Sequence, residues 1–88
     1  MKKVTKWEDV SFVISSSYRE KVLNGLNVPK IPSKLSKEIG INKAHVSRAL
    51  SELLNKKMIK CLTPEIKKGK IFLITDYGKT IIKKSSEM

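Results

Sequence analysis

Apolar residues recur at intervals of three and four along most of this chain, broken by short runs of Ser, Pro, Gly or Asn. Trp7 to Ile14 is apolar-rich, and Ser11-Phe12-Val13-Ile14 within it suits either strand or helix. Glu8 and Asp9 stand where a helix N-terminus favours negative charge, so the reading is a short helix. Ser15-Ser16-Ser17 interrupts it. Ser17 with Glu20 three residues later matches a capping box, in which each side chain satisfies the other's exposed backbone N–H. The helix opened there carries Tyr18, Val22, Leu23 and Leu26 on one side and ends around Asn24-Gly25. Val28-Pro29-Lys30-Ile31-Pro32 is extended, because each proline disfavours helix in the residue before it.

The next helix runs roughly from Ser33 to Ile39, with Leu35 and Ile39 spaced for one buried face. Gly40 suits the left-handed position after a helix, and Asn42 suits the N-cap of another. Only Ile41 separates them. So tight a connection sends the following helix out at a steep angle, the geometry of a helix-turn-helix. On a wheel of about 100° per residue, Val46, Leu50 and Leu53 cluster, flanked by Ala49 and Leu54. Opposite lie Ala44, Arg48, Ser51 and Asn55, with His45 and Glu52 on one shoulder and Ser47 and Lys43 towards the other. The outward face is therefore built of small or hydrogen-bonding side chains. Lys43 to Lys57 spans roughly 22 Å at helical rise, and a major groove about 12 Å wide admits such a helix.

Lys60-Cys61-Leu62-Thr63 and Lys70-Ile71-Phe72-Leu73-Ile74 read as two short strands. Pro64 to Gly69 between them is turn-prone, with Gly69 available for positive φ. The hairpin carries Lys67, Lys68 and Lys70 near its end, which makes it a basic wing. Thr75 caps a last helix, Asp76 to about Ser85, burying Tyr77, Ile81 and Ile82, with Lys83 and Lys84 placed favourably near its C-terminus.

Charge adds the functional direction. Nineteen Lys and Arg against eight Asp and Glu give a formal net charge of +11. The excess concentrates between Lys30 and Lys70, where eleven basic residues face three acidic ones. A polyanion, nucleic acid or anionic lipid, is the natural partner of such a surface. The alternative is a lysine-rich solubility coat, but those usually balance Lys with Glu. Eighty-eight residues at 40% hydrophobic allow one folded domain, 1–88, with a small core that self-association often supports. The lone Cys61 excludes an intramolecular disulfide and suggests a reducing setting. No apolar run follows Met1-Lys2-Lys3, and no segment reaches bilayer length, so a cytoplasmic protein without membrane association is expected.

The stretch IPSKLSKEIGINKAHVSRALSELLNKKMIKCLTPEIKKGKIFLITDYGKTII resembles the winged helix-turn-helix transcriptional regulators, especially the small archaeal ones and the MarR and ArsR groups. The wing exit FLITDYGKTI matches a Leu-Thr-x-x-Gly pattern through Ile74-Thr75-Asp76-Tyr77-Gly78, and SFVISSSYREKVLNGL is similar to the opening helix of the archaeal members. The resemblance covers about residues 10 to 82. It implies a mainly α fold with a small β-hairpin: helix-turn-helix about 33–57, wing about 59–74 and C-terminal helix about 76–85. It also implies a sequence-reading helix in the major groove of double-stranded DNA, a wing on the adjacent minor groove or backbone, and a homodimer. ArsR-type metal sensors carry a Cys pair where this chain has one Cys, and the additional helices that form the MarR effector pocket are missing. No cofactor, metal or small-molecule effector is therefore expected.

The expected DNA-binding residues are Ser33, Lys34 and Lys37 at the entry of the first helix of the motif, and Asn42, Lys43, Ala44, His45, Ser47, Arg48 and Ser51 on the reading helix. Lys67, Lys68 and Lys70 join them on the wing. The guanidinium of Arg48 can grip a phosphate or a guanine edge bidentately; its bland alternative is an intrahelical pair with Glu52. His45 has no neighbouring Cys, Asp or second His, so a metal role is not indicated. Trp7, Phe12 and Tyr18 read as core or dimer contacts, and Cys61 as a small buried hydrophobe. No Ser-His-Asp set, phosphate-cradling glycine loop or carboxylate pair points to an enzyme. The competing function is a winged-helix module that binds protein or RNA in a larger complex. A membrane-surface basic helix would need a sustained apolar stripe beside the cations.

Overall fold

A computed structural model describes residues 7–87. Five helices and one antiparallel hairpin follow the order α1 (Trp7–Ile14), α2 (Ser17–Gly25), α3 (Pro32–Ile39), α4 (Lys43–Asn55), β1 (Ile59–Cys61), β2 (Phe72–Ile74) and α5 (Asp76–Ser86). The chain is thus mainly α with a small β-hairpin. Helix ends are set by local chemistry. The side chain of Asn42 accepts from Ala44 N at 2.7 Å, Thr75 Oγ1 accepts from Gly78 N at 3.1 Å, and Gly40 closes α3 at φ 67°. The expected capping box is displaced by one residue: Ser16, not Ser17, caps α2 and accepts from Arg19 N. Ser16 is extended (φ −135°, ψ 117°), as an N-cap must be, while Ser17 is already helical.

The end of α4 has no glycine to mark it. Lys57 adopts φ 64°, with Lys57 N donating to Leu54 O and Met58 N to Leu53 O. That pair of bonds is the Schellman closure, with lysine in the left-handed position normally held by glycine. It turns the chain sharply from α4 into β1.

The strands pair Ile59 with Ile74, Lys60 with Leu73 and Cys61 with Phe72. They are shorter than the expected 60–63 and 70–74. Leu62 N still reaches Ile71 O at 2.7 Å, but Ile71 N turns to the side chain of Thr63, and a hydroxyl there replaces the ladder carbonyl. On the other side of β2, Lys30 and Phe72 exchange both backbone bonds, at 3.1 and 2.9 Å. The proline-flanked segment before α3 is thereby tied to the wing.

Buried aliphatic residues from every helix meet in one core. Val10 and Val13 of α1, Val22 and Leu23 of α2, Leu35 of α3, Val46 and Leu53 of α4 and Ile81 of α5 are all fully buried. Burying each such side chain contributes about 1.5–3 kcal/mol. The stripe of α4 that sinks into this core is Val46, Ala49, Leu50 and Leu53, so the opposite stripe faces outward. Several sequence expectations need correction. Of the two roles expected for Trp7 and Tyr18, core or dimer contact, the core one does not hold, since they are 62% and 41% exposed; Phe12 is half-buried at the edge of the core. Cys61, Tyr77 and Ile82 are also only half-buried. A buried carboxylate was not anticipated: Asp9 accepts from the hydroxyl of Tyr77 and pairs with Lys56 Nζ at 3.3 Å, joining α1, α5 and the end of α4.

Candidate nucleic-acid interface

The Gly40-Ile41-Asn42 corner presents α4 with its polar side to solvent. Ile41 is buried between the two caps, and Ser36 Oγ donates to Ile41 O across the turn, so the corner is held from inside. Asn42, Lys43, Ala44, His45, Ser47, Arg48 and Ser51 are all exposed. The backbone N–H groups of the first turn and the positive end of the helix dipole add to the cationic side chains.

The wing closes on one flank of α4. Ser33, Lys43 and Lys68 line a shallow depression together with Ile31, Pro32 and Gly69. Beside it, Ser47 and Ser51 of α4 face Lys67 and Lys70 of the wing across a second depression, floored by Leu50, Leu54 and Phe72. Gly69, at φ 69°, lets the wing turn back at this point. Lys34 and Lys37, with Ser33, line a third concavity on the outer side of α3.

His45 and Arg48 face the other way. They line a cavity of about 210 Å³ with Ser16, Tyr18, Arg19, Ala49 and Glu52. The ring of Tyr18 stacks on His45, centroids 4.4 Å apart and planes within 15°. The expected residues therefore do not form one patch: Lys43, Ser47, Ser51 and the wing lysines lie on one flank of α4, His45 and Arg48 on the other, and Lys34 and Lys37 on the outer side of α3. Helical spacing gives no sign of Tyr18 as a neighbour of α4, because it assigns the ring to the apolar side of α2.

Electrostatics favour an anionic partner on this ridge. Helix α4 carries one acid, Glu52, and its carboxylate is bound by Arg19 Nε at 2.8 Å. The alternative role of Arg48, an intrahelical pair with Glu52, is not seen among the described residues. Glu52 is held below the usual carboxylate value chiefly by the Arg19 hydrogen bond; burial works against this, and the charges of Arg19 and Arg48 add to the lowering. Lys34, Lys37, Lys43, Arg48, Lys67, Lys68 and Lys70 take part in no ion pair among the described residues, whereas Lys30 pairs with Glu38 and Lys56 with Asp9. Among those residues, no group of three His, Cys, Asp or Glu side chains could hold a metal ion. No described helix is long and apolar enough to cross a membrane.

No family model matches the chain, and no curated protein does. Solved structures match its shape. A MarR family transcription regulator superposes with a TM-score of 0.75 over 91% of this chain and 58% of that one, at 20% identity. A mutant MarR from E. coli complexed with operator DNA gives 0.72 over 89% and 61%, at 21% identity. The fold is the winged helix-turn-helix. The Zalpha domain from Carassius auratus PKZ in complex with Z-DNA matches 66% of this chain and 92% of its own length with a TM-score of 0.57 and 23% identity. The chain spans about three fifths of the length of the MarR structures it matches. In winged-helix terms α3 and α4 are the helix-turn-helix and the Cys61–Phe72 connection is the wing.

Proposed function

We propose that this chain is a sequence-specific double-stranded DNA-binding protein, acting as a small transcriptional regulator with no catalytic step and no cofactor. The observation that carries this reading is the outward face of α4: exposed, polar, cationic, with its single carboxylate already paired. A module that docks on protein would gain more from apolar side chains there. In this reading α4 enters the major groove, where Arg48, His45 and Ser47 reach base edges or phosphates. Lys67, Lys68 and Lys70 grip the neighbouring backbone or minor groove, and Ser33, Lys34 and Lys37 hold phosphates on the far side. The MarR complex with operator DNA supports the choice of partner by likeness of fold.

The protein acts as one winged-helix unit, as a homodimer, in the cytoplasm. Two copies place half-sites about 10 bp apart, or a multiple of that. If each subunit neutralises about four phosphates, the dimer's affinity falls with salt at a log–log slope near −7. The experiment is selection from random duplexes followed by titration of the recovered sequence at several salt concentrations. A left-handed duplex and a single-stranded RNA serve as competitors. An enriched, two-fold symmetric motif with a steep salt slope is expected; a flat slope on every duplex would refute the reading.

A further inference from the structure

Arg19 sits outside the helix-turn-helix unit, yet it governs the charge of the reading helix. Its guanidinium is fixed by several contacts. Nε donates to Glu52 Oε1 at 2.8 Å, Nη1 donates to Phe12 O at 2.7 Å and Ser15 Oγ at 3.3 Å, and the group lies 3.9 Å from the centroid of the Phe12 ring. The end of α1 thus clamps Arg19, and Arg19 clamps Glu52. Arg48 stands one helical turn before Glu52, on the wall of the same cavity, and makes no ion pair among the described residues. Residues four apart on a helix are within pairing distance. Arg48 is therefore an alternative partner for Glu52, and its charge is already felt at that carboxylate, whereas Lys56, four residues on the other side, is held by Asp9.

We infer that Arg19 is a positioning residue for DNA recognition: by holding Glu52 it leaves Arg48 available to the duplex and cancels the one negative charge on α4. The inference rests on the DNA-binding reading above. Without Arg19, Glu52 swings back along the helix to Arg48. The reading face then loses a guanidinium and gains a carboxylate turned towards phosphate. The fixed geometry of Arg19 matters here, because a partner already anchored to Phe12 and Ser15 loses little freedom on binding Glu52.

The test is a double-mutant cycle on the full chain, read by titration against the duplex selected by the wild-type protein. Arg19→Ala is expected to weaken binding about tenfold, as for loss of a bidentate contact, and to relax base preference where Arg48→Ala does. Arg19→Ala combined with Glu52→Gln is expected to bind within about twofold of wild type, because removing the carboxylate removes the competition for Arg48. A purely structural role for Arg19 would lower thermal stability but leave the base preference of the folded variants unchanged. Arg19→Gln, which keeps an N–H donor for the Phe12 carbonyl but no charge, repeats the cycle if Arg19→Ala is unfolded by circular dichroism. Wild-type affinity in the folded Arg19 variants, or failure of Glu52→Gln to restore it, overturns the inference. So does unfolding of both Arg19 variants, which would make the residue a fold determinant. Failure of the wild-type chain to bind any duplex refutes the DNA reading itself and is seen before the cycle begins.

Discussion

Replacing Gly78 by alanine tests how the wing exit is built. At an exposed site inside a helix, Gly→Ala stabilises by about 1 kcal/mol through helix propensity alone. Gly78 is in the first turn of α5, but it is buried against the chain that leaves α4. A Cβ placed there would lie 2.2 Å from Met58 O and 2.7 Å from Ile74 Cγ1. The carbonyl of Met58 cannot give way cheaply, since it accepts from Thr75 N at 2.9 Å and Met58 is itself fully buried. Helix α5 must move instead. Overpacking of this kind costs about 1–3 kcal/mol, and loosening the Thr75 bond adds about 1 kcal/mol. Set against the propensity gain, Gly78→Ala is expected to destabilise by about 2 kcal/mol, a fall in Tm of ~8–16 °C for a domain of this size. Thermal and urea unfolding followed by circular dichroism measure it. Gly25→Ala is the internal comparison: its Cβ meets Leu35 Cδ1 at 2.5 Å, the end of a flexible side chain, so less than half the loss is expected. A Gly78→Ala protein as stable as wild type, or more so, would refute the close-approach reasoning.

Three further outcomes follow from the same geometry. Arg48→Ala should alter which base pairs are selected, whereas Lys67→Ala with Lys68→Ala should weaken all duplexes alike and lower the dimer's salt slope by about 4, two contacts in each subunit; selection and salt titration on both variants separate the roles, and the reverse pattern would mean they are misassigned. Lys57→Gly should stabilise by about 0.5–1 kcal/mol, since glycine adopts the left-handed conformation without the Cβ clash, part of the gain being offset by its freer unfolded chain; the urea midpoint reads it, and a loss of stability would contradict it. Glu52, depressed below its ordinary 4.5 mainly by the Arg19 hydrogen bond, contributes stability that is fully present above that value and lost as pH falls through its folded pKa. Wild type should accordingly lose more stability than Glu52→Gln as pH is lowered below 4.5, and parallel stability–pH curves would rule the contribution out.

The exposure of much of the candidate interface was legible because it rests on local signals. Lys43, Ala44, His45, Ser47, Arg48 and Ser51 oppose Val46, Leu50 and Leu53 at helical spacing, so their exposure follows once α4 packs by its apolar stripe. The wing lysines flank a Gly whose positive φ the composition of the turn already suggested. The two shoulders of α4 were legible from helical spacing, but what covers each was not. Which flank of α4 meets the wing, and which meets Tyr18, depends on how α2 and the hairpin dock, and spacing along one helix carries no information about that.

What the sequence alone determined is whatever closes within a few residues: the Gly40-Ile41-Asn42 corner, the Thr75 cap, the faces of the helices and the excess of positive charge. Only the tertiary structure decided the contacts made by residues far apart in the chain. Arg19 meets Glu52 across 33 positions and Asp9 meets Tyr77 across 68, and the left-handed Lys57 is held between buried Leu53 and Met58 with no residue type to announce it. The physical reason is one of range. A cap or a turn is selected by energies its own side chains supply, whereas a long-range ion pair forms only after core packing has placed both partners, so the pairing of the one acid on α4 had to be seen in the fold.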